Sequence, residues 1–191
     1  MGSVAAIDAM TAYRSIKDYS EVEFKTESGT LILPYDKMHS YEYAKKRFEE
    51  LDTKDVLVEV ENREHAKFGN IVKMYEEGKE FDTQMEVSQT IFAFNDVAFV
   101  PFRFEMFSEI ALRLKTYSPY KHTLCLSNTN GSDFYLPTRS QMVMGGYEID
   151  IFCLGSVYKL VDNIDDIIIN ENMKILSKMK TFTVCKKERF V

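Results

Sequence analysis

FDTQMEVSQTIFAFNDVAFVP, residues 81–101, decides the fold class. Polar and apolar side chains alternate along its first part, which is rich in aromatic and β-branched residues. That is the pattern of a half-buried strand. Asn95-Asp96 supplies a tight turn, residues 97–100 run back, and Pro101 ends the pairing. The segment reads as a β-hairpin.

Working upstream, residues 61–77 read as a helix. Phe68, Ile71, Val72 and Tyr75 recur at helical spacing and Gly78 stops it. Residues 56–60 fit a short strand or the lead-in to that helix. Before them, Ser40 caps a helix whose face carries Tyr41, Ala44, Phe48 and Leu51. Residues 21–25 alternate as a strand, Gly29 reads as a turn, and residues 31–33 form a second short strand ending at Pro34.

Downstream, Phe107, Ile110, Ala111 and Leu114 make a helical stripe that stops before Pro119. Residues 122–127 predict a strand, Asn130-Gly131 a tight turn, and residues 134–136 a return strand. Residues 147–154 read as the last strand. Residues 157–179 read as helical, although Ile167, Ile168 and Ile169 in a row favour β structure locally. The tail, 182–191, carries basic charge and no clear pattern. No repeat, low-complexity tract or linker interrupts this mixture. One domain over 1–191 is expected, of the α+β (mixed α/β) class. It has β-hairpins in a mixed sheet packed with three to four helices.

Composition narrows the function classes. The chain has 191 residues, 45% of them hydrophobic and 28% charged, with net charge -6. That is an ordinary globular balance. Acidic residues outnumber basic ones 30 to 24, which argues against a nucleic-acid partner, because such binding neutralises phosphates. No apolar run is long enough to span a membrane, and the first ten residues lack a signal peptide's basic start and apolar core. Cys125, Cys153 and Cys185 are widely spaced with no CxxC pair, so buried, unreactive thiols are expected. Reduced thiols fit a cytoplasmic setting.

Two stretches carry chemical information. Residues 99–114 read FVPFRFEMFSEIALRL and residues 123–148 read TLCLSNTNGSDFYLPTRSQMVMGGYE. The ordered pieces are Glu105, Phe107-Ser108-Glu109-Ile110, Asn130-Gly131, Tyr135-Leu136-Pro137-Thr138 and Gly145-Gly146-Tyr147-Glu148. In order and spacing, this set resembles the neutral/alkaline (non-lysosomal) ceramidase family, zinc-dependent amidohydrolases that cleave the amide of N-acyl sphingoid lipids. The clearest match covers 99–148, and the chain looks like the C-terminal portion of such a catalytic domain.

The resemblance implies a zinc site with Glu105 and Tyr147 at two ligand positions. Tyr135, Thr138 and Arg139 would border a substrate cleft. Zinc would activate a water and polarise the amide carbonyl. This sequence departs from the family in two places. A Pro-Gly-Glu turn becomes Arg103-Phe104-Glu105, and the family's histidine-bearing N-terminal half has no counterpart. The expected partner is therefore an N-terminal half or separate chain carrying the histidine ligands, with no activity expected without it. A homo-oligomer is a further expectation.

The plain readings of the same residues stand beside this one. Glu105 fits an acid satisfied near a helix start, and Tyr147 a core tyrosine at a strand start. Two oxygen ligands fall short of a tight zinc site. Of the three histidines, His39 reads as a cap-region residue, His65 as solvated, and His122 as a stand-in ligand that could work with Glu105. A non-catalytic binding or assembly domain that keeps the fold without a complete metal site is the rival reading.

Overall fold

A computed structural model describes residues 2–181. The predicted tail and Cys185 lie outside the described residues. The class is α+β: among the described residues, seven helices accompany a mixed four-stranded sheet and a two-stranded one.

The sheet has the order β1 (Phe24–Pro34), β2 (Gln84–Phe94), β3 (Val97–Pro101), β5 (His122–Leu126). The quoted hairpin is present: β2 and β3 pair antiparallel across Asn95-Asp96, with Phe92 opposite Phe99. Asn95 takes φ 51, a left-handed backbone that asparagine tolerates well. β1 pairs antiparallel with β2 over its whole length, from Phe24↔Phe94 to Pro34↔Gln84.

The predicted turn at Gly29 is absent, and β1 runs straight through it. A side chain at Gly29 would come within 3.3 Å of Ile175, so the glycine lets a helix approach the strand rather than turning the chain.

That helix is α7 (Ile164–Thr181), which lies against β1 on the inner face of the sheet. Leu31, Leu33, Val87, Ile91, Ala98 and Val100 point inward and join Ile164, Ile168 and Leu176 in one apolar core. Period 2 in the strands meets period 3.6 in the helix, and the row of isoleucines is helical because that face is buried. Residues 157–163, read as helical, instead bridge to the residue just after β1 at Tyr35↔Leu160, and Val161 N donates to the Pro34 carbonyl. A polar pin also crosses the core. Gln89 Nε2 donates to Asn172 Oδ1 at 2.8 Å and to the Pro101 carbonyl at 2.7 Å.

α4 (Ser108–Tyr117) carries the chain from β3 to β5, which lie side by side and parallel. Ile110 and Leu114 bury its predicted stripe, and Arg113 pairs with Asp165 and Asp166 at the start of α7. α2 (Tyr41–Asp52) and α3 (Glu59–Glu76) form a hairpin around Ala44, Phe68 and Ile71. The Ser40 hydroxyl caps α2 by accepting from Tyr43 N. Residues 56–60 lead into α3, where the Glu61 carboxylate accepts from Val58 N at 3.1 Å. No helix of the structure is long and apolar enough to cross a membrane. Cys125 and Cys153 are half-buried, and loss of water pushes both thiols up from their ordinary value, as expected of unreactive thiols.

The outer face of the sheet differs from the inner one. Phe24, Phe92, Phe94 and Phe99 cluster there, with Phe92 stacked on Phe99 at 4.8 Å. Phe24 remains 57% and Phe94 40% exposed. α1 (Gly2–Ser15) precedes the sheet and has no buried residue.

Candidate functional site

Beyond Pro101 the chain stays extended. Phe102 N donates to the Leu126 carbonyl, and Thr129 N and Asn128 N donate back to the carbonyls of Phe102 and Phe104. Glu105 N then bonds the Phe134 carbonyl, and Phe107 N that of Leu136. This ladder builds a second sheet in which β4 (Glu105–Met106) and β6 (Tyr135–Leu136) run parallel. The return strand predicted after Asn130-Gly131 is thus real, but it pairs with β4 and not with β5. Asn128 and Asn130, at φ 52 and 62, carry the loop over to that register.

Arg103-Phe104 has a structural role. Phe104 is 1% exposed and packs its ring against Phe134 at 5.1 Å. Arg103 points the other way and clamps Asp133 in the facing loop. The segment is thus extended and plugged into the core.

That plug fixes Glu105. Its side chain is exposed and accepts from Asn128 Nδ2 at 3.5 Å. Its register partner across the small sheet is Tyr135. Tyr147 approaches the same tyrosine, with the two rings 6.2 Å apart at 74°. The Tyr135 phenol is held above its ordinary value, first by partial loss of water and then by the negative charge of Glu105.

Residues 147–154 are not a strand. They form α6 (Tyr147–Leu154), with Ile149 and Phe152 buried. Gly145 and Gly146 sit at φ 64 and 113 with open space around both, so backbone conformation, not crowding, calls for glycine. They turn the chain so that α6 begins at Tyr147. The Tyr147 ring is 54% exposed and lies under the Arg63 guanidinium of α3 at 5.8 Å.

Thr138 precedes α5 (Arg139–Met142) and is fully buried. Its hydroxyl and that of Ser140 both donate to Glu109 Oε2 at 3.1 Å. Glu109, in the first turn of α4, therefore ties α4 to α5. This tie was not legible in the sequence; the Thr-x-Ser spacing opposite a first-turn acid was the available signal. Arg139 is exposed at the start of α5.

The histidines do not join Glu105 and Tyr147. His39 stacks on Tyr43 at 4.9 Å, just before the Ser40 cap, as expected of a cap-region residue. His65, expected to be solvated, stacks on Phe48 at 4.5 Å and approaches Asp52 at 3.2 Å. His122 begins β5, opposite Val97, whereas the small sheet grows from the other end of β3 and β5. Four strand residues separate those ends by about 13 Å. The pairing of His122 with Glu105 is therefore excluded.

Glu105 and Tyr147 offer zinc two oxygens, where zinc takes three or four ligands with nitrogen or sulfur prominent. Among the described residues no group of three or more His, Cys, Asp or Glu is placed to hold a metal. The donor set within these residues does not by itself fit zinc. No family model, curated protein or solved structure matches this chain.

Proposed function

We propose that this chain is the C-terminal portion of a ceramidase-like, metal-dependent amidohydrolase. Glu105 and Tyr147 would be two ligand positions of a zinc site, with the histidines supplied by another segment or chain. One observation carries the reading. Glu105 and Tyr147, on separate elements, both converge on Tyr135, and all three belong to the motif set. Glu105 is exposed and Tyr147 half-exposed, so both side chains are open to a partner.

The reading predicts weak zinc binding and no amidase activity on an N-acyl sphingoid lipid for the chain alone. Adding a histidine-bearing N-terminal half should raise both together. Glu105→Gln or Tyr147→Phe should then abolish both while leaving the fold intact. Tight stoichiometric zinc and full activity in the isolated chain would sink the incomplete-site claim.

A non-catalytic binding or assembly domain is the second reading. It is favoured by Arg103-Phe104, which turns a glycine turn into a core plug and a salt bridge. A neighbouring reading frame encoding the histidine-rich half favours the enzyme, and an isolated gene favours the assembly domain.

A further inference from the structure

The outer face of the four-stranded sheet is poor in charge for a solvent-exposed surface. Strand alternation places the even-numbered residues of β1 and β2 on it. Thr26, Ser28, Thr30, Ser88 and Thr90 form its hydroxyl-bearing half, joined by a 2.8 Å Ser28–Thr90 hydrogen bond. The phenylalanine cluster forms the other half, continued by Leu124, which is 42% exposed on β5. Glu86 is the one charged side chain among those even positions. In a chain that is 28% charged, depletion of charge with exposed aromatics marks an interface.

A candidate cover exists on the same chain. α1 is 14 residues long, and Val4, Ile7, Met10 and Tyr13 are each at least 48% exposed. A helix of that length is marginal in water without packing. It does not lie on its own sheet, since none of its residues is buried.

The root of α1 is anchored at the aromatic end of the face. Glu23 N donates to Asn95 Oδ1 at 2.7 Å, and Asn95 Nδ2 donates to the Glu21 carbonyl at 3.1 Å. Phe24 and Phe94 are the adjacent register pair. An arm rooted at that end can cover the phenylalanines of a second copy facing it across a twofold axis. A helix about 21 Å long and 10 Å wide matches that end of the face. Two such contacts bury on the order of 1,000 Å2, near the lower end of stable interfaces.

We propose that the outer sheet face is a self-association surface, covered by α1 of a second copy of this chain. This does not rest on the zinc reading. Sedimentation equilibrium of the full chain should give twice the 22.2 kDa chain mass, dissociating on dilution. Ile7→Asp in the arm and Phe94→Asp on the face should each leave a folded single chain by circular dichroism. Mixing Met10→Cys with Thr26→Cys should give a disulfide-linked pair of chains. A single-chain mass at the highest soluble concentration would overturn the proposal. So would a dimer indifferent to Ile7→Asp, or an arm that cross-links only within its own chain in the Met10→Cys/Thr26→Cys double variant.

Discussion

The two ends of the four-stranded sheet are finished by different means. At one end Asn95 turns β2 into β3, and its side chain gathers the backbone leading into β1. At the other end β3 and β5 stop short, and their continuations build the β4–β6 sheet through six crossing backbone hydrogen bonds and one buried ring. That end displays Glu105, Tyr135 and Tyr147 together. The difference teaches that the turn end is self-satisfying, whereas the far end holds an exposed carboxylate and phenols in place by structure built beneath them. It also explains why His122, at the turn end, is no substitute ligand.

The comparison breaks most severely at Phe104. Truncation to alanine empties the support under Glu105 and should cost about 3–5 kcal/mol in urea unfolding. If the loss is small, the far end is not held by its plug. Thr138→Val removes a buried hydrogen bond to the Glu109 carboxylate and should cost about 1.5–3 kcal/mol. Gly146→Ala forces a side chain onto φ 113, which should cost roughly 1–3 kcal/mol and shift the Tyr147 ring from Tyr135 in NMR spectra.

Asn95→Ala is the control at the opposite end. Loss of its clamp should cost about 1 kcal/mol and leave the Tyr135 and Tyr147 resonances in place. A change in those resonances would mean that the ends are coupled. The smallest effect is a titration. The Tyr135 phenol sits above its ordinary 10.0, partly because of Glu105, so Glu105→Gln should bring it down in a carbon-13 tyrosine titration. The folded chain keeps that proton longer than the unfolded one. Its contribution to stability is therefore present below about pH 10 and is lost as pH rises through the folded value. An unmoved Tyr135 titration would separate Glu105 from the cluster.

Local signals carried the parts of the fold whose packing is local. The β2–β3 hairpin was legible because alternation, Asn95-Asp96 and Pro101 agree. The stripes of α3 and α4 and the Ser40 cap were legible for the same reason. The misread parts depend on partners distant in sequence. Gly29 resembles a turn until Ile175 of α7 is laid against it. Residues 147–154 alternate like a strand, yet burial of Ile149 and Phe152 on one side and two left-handed glycines before them produce α6. The β4–β6 pairing could not be read from Asn130-Gly131, which looks like a hairpin turn and carries a parallel crossover instead. That Glu105 and Tyr147 belong to one neighbourhood around Tyr135 was not legible from local signals, because it depends on that crossover.

The most direct test is a metal titration of the full chain followed by cobalt(II) absorption, with cobalt standing in for zinc and imidazole standing in for the histidines that the proposed site takes from another segment or chain. The account predicts weak binding without imidazole. With imidazole it predicts one tetrahedral cobalt per chain with a phenolate charge-transfer band, and Tyr147→Phe and Glu105→Gln should each abolish the site. Tight binding without imidazole, or imidazole-dependent binding that survives both substitutions, would contradict it.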